Sequence, residues 1–567
     1  MSDLKSRDPQ PDSATDAPVE APADPSRRRL LGGMAAAGAT LAVSGCARET
    51  PRAAAPRATG DIDRLLRERI RRVVVIYAEN RSFNNLFADF PGLEKPLSSL
   101  TPAEYQQRDR DGSILATLPK VWHGLAPHAQ VVEHRKYQVL EDDITDLPNA
   151  PWALRTGTGE PLPPGVVTRD LVHRFYENQR QINGGKNDGF VAWGNTGAMT
   201  MGYYGDNAAT FRLWQLARQY TLCDNFFMGA FGGSFLNHQY LVAAEPPYYA
   251  HADHSPAKPN IAVTASGRAD DIHIKLDKDS PASAMDGPPD YVGKTTLTPD
   301  FHVVNTMGPP YAPAFNKSPE NPLYADPRAA YTLPPQDHRT IGDSLSDAGI
   351  DWAWYAGGWA AALAGQGEGE EGEFPESPNF QPHHQPFNYY ARFAPGTAER
   401  SRHLRDGGLG DTPTSNRFLA DIRAGKLPTV SFYKPQGNLN LHAGYADVDS
   451  GDRHIMRMVA ALQESPHWQE TLVIITVDEN GGWWDQVAPP KGDRWGPGTR
   501  IPTLLVSPHV KKGFVDHTIY DTGSIQRFLN RRFGLTPLRG IVARDEAMRA
   551  AGGPAPGDLT AALDLAP

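Results

Sequence analysis

The chain alternates between short β-branched apolar runs and stretches in which apolar residues recur at helical spacing. The clearest strand patterns are residues 71–79 (RRVVVIYAE) and 471–477 (TLVIITV), both of buried-strand length. Further strands are predicted at 221–227, 351–355, 428–433 and 501–507, and amphipathic helices at 206–220, 339–349, 415–424, 455–463 and 521–533. Strands that alternate with helices predict an α/β sandwich with a mostly parallel sheet.

Two stretches interrupt this alternation. Residues 250–335 are rich in Pro, Asp and Ala, and residues 360–380 are rich in Gly and Glu. Long stretches without periodic apolar positions are typical of insertions or lids. We therefore predict one catalytic domain over residues 71–567 with insertions near 250–335 and 360–380, where substrate specificity is expected to reside.

The first 46 residues have the features of an export signal. Arginines 27–29 precede an uncharged run to Ala47 that contains Cys46 and is too short and too weakly apolar to span a bilayer. Paired arginines before leucines resemble a twin-arginine signal, and the sequence VSGC resembles a lipobox. We predict twin-arginine export, a flexible tether over residues 47–70, and a periplasmic, secreted or membrane-anchored protein. Cys46 is expected to carry the lipid anchor, with ordinary cleavage nearby as the alternative.

Charge and cysteine content exclude several classes of protein. The chain has 56 Lys+Arg and 66 Asp+Glu, a net charge of −10, which argues against a nucleic-acid partner because phosphate backbones call for basic patches. Its two cysteines, Cys46 and Cys223, exclude a disulfide framework and a CxxC zinc site. Cys223 is expected to be a small buried apolar residue. The oligomeric state is not indicated by any pattern.

Three polar clusters follow predicted strands, at the sheet edge where α/β proteins bind ligands. The clusters are Glu79 with Asn80, Asp478 with Glu479, and Ser234 after paired glycines. Carboxylate and amide oxygens can hold a hard cation, and a serine at a helix start is well placed as a nucleophile. The structural alternatives are a helix cap at Asn80 or Ser82, a helix cap at Ser234, and an exposed acidic turn at residues 478–479.

The order of these clusters along the chain resembles a known family. The segments are ENRSFNNLF, GGKNDGFVAW with His173 before it, CDNFFMGAFGGSFLNHQYL, NFQPHHQPFNYY, NLNLHAGY, VDENGGWWDQVAPP and GPGTRIPTLLVSP, over roughly residues 71–535. Together they resemble the bacterial acid phosphatase/phospholipase C phosphoesterase family of the alkaline phosphatase superfamily. The resemblance implies an alkaline phosphatase-like sandwich with helices on both faces of the sheet. Ser234 places the chain nearer the acid phosphatase branch than the lipase branch, where threonine is usual.

The resemblance also implies an activity, which is metal-dependent hydrolysis of phosphate monoesters through a phosphoserine at Ser234. The expected metal ligands are Glu79, Asn80, Asp478, Glu479 and the Ser234 oxygen, and the expected residues of the phosphate pocket are His173, His383, His384 and His442. Oxygen ligands favour Ca²⁺, Mg²⁺ or Mn²⁺, whereas a histidine ligand would favour zinc or iron. If several of the histidines are cations, activity is expected to favour acidic pH.

Three other functions stay open. One is a phospholipase C that cleaves phosphatidylcholine-like lipids, with Trp483 and Trp484 facing an acyl or aryl group. Another is a serine esterase that uses Asp516 and His517, although the last glycine of G-x-S-x-G is missing. The third is a surface lipoprotein that binds a ligand without turnover. A sulfatase is disfavoured because the pattern Cys/Ser-x-Pro-x-Arg is absent around the candidate residues.

Overall fold

The computed structural model describes residues 59–365 and 380–565. The predicted export signal, the lipid site at Cys46 and most of the insertion near 360–380 lie outside these residues. The strands are β1 Arg72–Ala78, β2 Ala126–Val132, β3 Arg135–Val139, β4 Trp152–Ala153, β5 Gly202–Tyr203, β6 Thr221–Cys223, β7 Phe226–Phe227, β8 Trp352–Gly357, β9 Leu404–Gly408, β10 Val430–Lys434, β11 Thr471–Val477, β12 Thr503–Val506, β13 Phe514–Asp516 and β14 Tyr520–Asp521. The helices are α1 Thr59–Arg69, α2 Phe83–Phe87, α3 Pro102–Tyr105, α4 Phe175–Ile182, α5 Gly205–Ala208, α6 Arg212–Gln219, α7 Ser234–Ala243, α8 Ile341–Asp347, α9 Trp359–Leu363, α10 Ala398–His403, α11 Arg417–Arg423, α12 Val448–Glu464, α13 Gly523–Phe533 and α14 Arg539–Ala550.

Eight of these strands form the central sheet, in the order β13-β6-β12-β11-β1-β10-β8-β9. All neighbouring pairs are parallel except those of β12, which is antiparallel to β11 and to β6. The prediction of a mostly parallel α/β sheet is confirmed. In β1 and β11 the register pairs Ala78 with Val477, so the two strands end side by side. The polar residues that follow them leave the sheet at adjacent points.

The centre of the sheet is the core of the protein. Val73, Val75 and Ile76 of β1 and all of β11 are buried, as their β-branched composition predicts. Burying one such aliphatic side chain stabilises the fold by about 1.5–3 kcal/mol. In β8, Trp354 stacks on Phe432 of β10, with ring centroids 5.4 Å apart. The sheet is therefore a rigid support for the loops at its edge.

Two predicted elements are divided in the structure. The strand predicted at 221–227 forms β6 and β7, which belong to different sheets and are separated by the buried Asp224 and Asn225. The helix predicted at 206–220 forms α5 and α6, separated by the extended, buried Phe211. Cys223 lies in β6 and is a buried free thiol, as expected.

The chain is helical in part of the range predicted as a tether. Helix α1 occupies Thr59–Arg69, where Leu66 is fully buried together with Ile70 directly after the helix. The helix contacts α13, and Asp63 accepts a 2.7 Å hydrogen bond from Arg531 of that helix. The predicted tether of residues 47–70 is therefore too long at its C-terminal end, because contacts with α13 order residues 59–70.

The insertion at residues 250–335 is described completely and contains 3₁₀ turns and isolated bridges, but no α-helix or strand. Leu297, Val303 and Val304 are nevertheless fully buried, so the segment packs onto the domain. Arg494, which lies outside the insertion, forms a 2.6 Å ion pair with Asp300 inside it. Within residues 59–365 and 380–565, no helix has the length and apolar character needed to cross a membrane.

Candidate active site

Ser234 is the first residue of α7, and its hydroxyl lies against the loops that follow β1 and β11. Its Oγ donates to Asn80 Oδ1 at 3.1 Å and lies 3.4 Å from Glu479 Oε1. The residue before it, Gly233, passes so close to His173 that a Cβ there would lie 2.7 Å from the His173 carbonyl oxygen. Glycine at this position therefore allows the serine and the histidine to approach each other.

The acidic pair after β11 is fully buried rather than part of an exposed turn. Asp478 Oδ1 accepts hydrogen bonds from the backbone N–H groups of Asn80 (3.1 Å) and Glu479 (2.8 Å). Glu479 Oε2 accepts from the N–H of Gly481 at 2.5 Å. Gly481 has φ +61°, and a Cβ there would lie 2.5 Å from the Asn80 carbonyl oxygen. Glycine at 481 thus lets the two loops meet.

The first loop also contains the helix cap that the sequence predicted as the structural alternative. Of the two candidates Asn80 and Ser82, Ser82 caps α2, since its Oγ accepts a 3.1 Å hydrogen bond from the N–H of Asn85. Asn80 has φ 46°, and its side chain points at Ser234 and at His173, whose Nε2 is 3.3 Å from Asn80 Nδ2. Ser82 therefore caps the helix, whereas Asn80, two residues earlier, contributes its side chain to the site.

The buried oxygens of this site fit a divalent cation. Asp478 Oδ2 is buried and accepts no hydrogen bond, while Asn80 Oδ1 and Glu479 Oε1 converge on Ser234 Oγ. Burial raises the pKa of Asp478 and of Glu479, because two ionised carboxylates without solvent are costly unless a cation balances them. Potential ligand atoms of Glu79, Asp478 and His238 also lie within 4.8 Å of one another.

Glu79 is surrounded by donors from this chain. Its Oε1 is 2.8 Å from Lys434 Nζ and 2.7 Å from His384 Nε2, and its Oε2 accepts from Asn440 Nδ2 (2.8 Å) and Tyr445 OH (2.7 Å). Burial alone would raise the pKa of Glu79, but Lys434 and His384 hold it well below the usual value. The expected role of Glu79 as a metal ligand thus competes with a buried ion pair.

Sequence reasoning missed two residues of this centre. Lys434 is fully buried at the end of β10, with Nζ 4.0 Å from Asp478 Oδ2. His238 lies one turn after Ser234 on α7, and its Nδ1 donates to the Ser234 carbonyl at 2.7 Å and is 3.6 Å from Asp478 Oδ2. Both could have been found from position, because Lys434 directly follows a predicted strand and His238 lies in the serine segment.

Ser234 lines a cavity of about 460 Å³ together with His173, His383 and His442. His384 is fully buried and is not among the described residues that line this cavity. Its expected place in the phosphate pocket differs from its place in the structure, because its Nε2 faces Glu79. The far wall of the cavity comes from residues 294–296, 304–306 and 331 of the long insertion.

The histidines differ in charge. Burial alone would lower the pKa of His173, but the carboxylates of Glu479 (3.6 Å from Nε2) and Asp170 (3.7 Å from Nδ1) raise it to about 9. Burial lowers the pKa of His442, and lowers that of His384 to about 3. The expectation that several histidines are cations is therefore corrected, since burial keeps these two neutral.

The groups invoked for the alternative functions lie elsewhere. Trp483 and Trp484 are buried in the core and are not among the described residues that line the cavity. His517 Nδ1 lies 2.9 Å from both carboxylate oxygens of Asp224, and Asp516 accepts from Thr518 and Tyr520. A Ser-His-Asp triad with Ser234 is thus not assembled by these residues.

Comparisons with known proteins agree with the sequence segments. The model of the Phosphoesterase family matches residues 70–536. Phospholipase C B of Mycobacterium tuberculosis is 23% identical over 532 residues, covering 88% of this chain and 78% of that protein. Non-hemolytic phospholipase C of Pseudomonas aeruginosa is 28% identical over 183 residues, covering 26% of this chain and 25% of that protein.

Among solved structures, a protein in the alkaline phosphatase superfamily from Vibrio parahaemolyticus aligns at a TM-score of 0.29 and 12% identity. The alignment covers 59% of this chain, which spans 62% of that structure. A similarity of this size carries no argument about activity.

Proposed function

This chain belongs to the phosphoesterase family and is a phosphoric ester hydrolase, and from that premise we propose that it hydrolyses phosphate monoesters through a phosphoserine at Ser234. The observation that carries the proposal is the position of Ser234 Oγ, which lines the cavity and contacts Asn80 Oδ1 and Glu479 Oε1. A buried hydroxyl between an amide oxygen and a carboxylate, beside a protonated histidine, has the parts needed for covalent catalysis.

The first step is attack of Ser234 Oγ on phosphorus. The hydroxyl faces two acceptors, Asn80 Oδ1 and Glu479 Oε1, of which only the carboxylate can take its proton. Glu479 Oε1, 3.4 Å from Oγ, is therefore the acceptor that we assign to this proton. The new Oγ–P bond forms as the bond from phosphorus to the leaving alcohol breaks.

The leaving alkoxide needs a proton, which we assign to His173. This ring lines the cavity, and its pKa of about 9 keeps it protonated at neutral pH. In the second half of the reaction, water attacks the phosphoserine, and the neutral His173 takes a proton from that water. The Oγ–P bond breaks, the protonated Glu479 returns its proton to Ser234 Oγ, and inorganic phosphate is released. His383 and His442 line the same cavity and can hydrogen-bond to the phosphoryl oxygens.

Asn80, Asp478 and Glu479 would hold the divalent cation. When bound, this cation supplies positive charge to the phosphoryl oxygens and lowers the pKa of the serine hydroxyl. The donors are oxygens, so Ca²⁺, Mg²⁺ or Mn²⁺ is the expected class of ion.

A diesterase is the second candidate, because the relatives of this chain are named phospholipase C. Parallel assays on p-nitrophenyl phosphate and p-nitrophenyl phosphocholine separate the two. We expect the larger kcat/KM on the monoester. A larger value on the phosphocholine diester, with Ser234→Ala inactive on both, would replace the monoesterase proposal by the diesterase.

We also propose that the chain is exported by the twin-arginine route and anchored through a lipid on Cys46. The support is the sequence of residues 27–46 alone. Cys46→Ala should move the protein from the membrane fraction to the soluble exported fraction. Equal distribution of the variant and the wild type would contradict the anchor.

A further inference from the structure

Two cations line the cavity of Ser234 that the reaction described above does not use. Arg174 and Lys294 are exposed, whereas Ser234 is only 5% exposed, so the cations lie at the mouth and the serine lies deep. Within the described part of the chain, neither cation has an ion-pair partner within 4.0 Å. Their charges are available to a molecule that enters the cavity.

The side chain of Asn305 joins the two backbone segments that carry these cations. Its Oδ1 accepts a hydrogen bond from the N–H of Phe175 at 3.2 Å, and its Nδ2 donates to the Thr295 carbonyl at 2.6 Å. Phe175 directly follows Arg174 and Thr295 directly follows Lys294. One amide therefore joins the start of α4 to the insertion, with a cation next to each end of the bridge.

Among residues 59–365 and 380–565, the acidic groups near the mouth do not cancel this charge. Asp170 is the one carboxylate among the described residues that line the cavity, and its Oδ1 is 3.7 Å from His173 Nδ1, which carries a proton. Glu177, in the first turn of α4, is buried, and burial raises its pKa. The described residues at the mouth of the cavity therefore carry a net positive charge.

Arginine and lysine are the side chains that bind carboxylate and phosphate groups, whereas quaternary ammonium groups are bound by aromatic faces and repelled by cations. We propose that the preferred substrates are phosphate esters whose leaving alcohol carries a second anionic group, a carboxylate or another phosphate, which Arg174 and Lys294 bind. This inference rests on the proposed phosphate ester hydrolysis at Ser234 and names the substrate class of that site.

The test compares four phosphate esters that differ in the leaving alcohol. Glycerol 3-phosphate leaves a neutral alcohol, 3-phosphoglycerate a carboxylate, fructose 1,6-bisphosphate a second phosphate, and phosphocholine a cation. We expect kcat/KM to be higher for the two anionic leaving groups than for glycerol 3-phosphate, and lowest for phosphocholine. The larger of the two anionic values tells whether carboxylate or phosphate is preferred. The preference should shrink as salt is added, because the cations are exposed.

Variants assign the preference to the two cations. Lys294→Gln and Arg174→Gln should each reduce the ratio of kcat/KM for 3-phosphoglycerate to that for glycerol 3-phosphate by about two- to five-fold. Lys278→Gln is the matched control, because Lys278 is an exposed lysine of the same insertion outside the cavity, and it should keep the wild-type ratio.

Different results would overturn the preference for anionic leaving groups and the proposed hydrolysis of phosphate monoesters. Hydrolysis of glycerol 3-phosphate without preference for the anionic esters, or a ratio unchanged in both variants, overturns the inference and leaves the phosphatase proposal standing. Absence of turnover on all four esters and on p-nitrophenyl phosphate by metal-loaded protein overturns both.

Discussion

At the scale of single residues, Lys434 balances the charge of the site from within the protein. Its ammonium lies 2.8 Å from Glu79 Oε1, and both side chains are fully buried. Removing one partner of such a pair leaves an uncompensated buried charge, which costs about 3–5 kcal/mol. We expect Lys434→Met to lower the free energy of unfolding by about this amount in urea titrations.

The double variant Lys434→Met/Glu79→Gln is the control for that prediction. It removes both charges, so its loss of stability should be smaller than the sum of the two single losses. Purely additive losses would show that the pair is not coupled.

His173 provides a prediction about proton binding. Since the carboxylate of Glu479 is the main cause of its raised pKa, Glu479→Gln should leave burial as the dominant effect and lower that pKa from about 9. NMR titration of ¹³C-labelled histidine in metal-free protein measures both values. A pKa that does not move in the variant would remove His173 from the role of proton donor at neutral pH.

At the scale of elements, the sequence predicted those features that local patterns encode. The β-branched runs gave β1 and β11 closely, and the polar residues after them are the centre of the site. The start of α6 could not be predicted, because its cap is Asp452 of α12, which accepts from the N–H groups of Arg212 and Leu213. Tertiary contacts of this kind are invisible to local periodicity.

Gly481 joins two elements of the site. Gly481→Ala would place a Cβ 2.5 Å from the Asn80 carbonyl oxygen at φ +61°, so the loops after β1 and β11 must separate. We expect weaker binding of the divalent cation, by roughly 10–100-fold, in isothermal titration calorimetry.

Gly552→Ala is the control for this substitution, because Gly552 has φ +86° and no atom within 4 Å of a Cβ. It carries the same backbone strain without the clash and should bind the cation like the wild type. Equal affinities of all three proteins would show that the approach of the two loops is not needed for binding.

At the scale of the whole molecule, the site and the stability of the domain are linked through the buried carboxyls. Burial raises the folded-state pKa of Glu479, so in metal-free protein its contribution to stability is full below the unfolded pKa of about 4.3 and is lost as pH rises. Without metal, Glu479→Gln should therefore become more stable relative to the wild type between pH 5 and pH 8. Thermal unfolding in chelator at both pH values measures this.

Adding a divalent cation should reverse that ranking. The cation binds the folded wild type and stabilises it by RT ln(1 + [L]/Kd), about 2.7 kcal/mol at 100 times Kd, and the variant gains less. A difference in Tm that stays constant with pH and with metal would contradict both the raised pKa and the cation site.

Sequence patterns predict some features of the whole domain and not others. The parallel sheet and the meeting of Asn80, Ser234 and Glu479 follow from strand ends and ordered segments. The placement of His384 against Glu79 and the wall built by the insertion do not, because both depend on how segments far apart in the chain pack. Burial and neighbouring carboxylates together decide which histidines are charged, and local sequence patterns encode neither.

The central claim is that Ser234 becomes phosphorylated during turnover. Metal-loaded protein is mixed with p-nitrophenyl phosphate, quenched in acid within the first turnover and digested, and the peptides are analysed by mass spectrometry. We predict one added phosphoryl group on Ser234 of the peptide that contains GGSFLNHQYL, and none in Ser234→Ala, which should also lose at least about a thousand-fold in kcat. A phosphoryl group on a histidine in a parallel sample quenched in alkali, where phosphohistidine survives, or a Ser234→Ala variant that turns over like the wild type, would contradict the account.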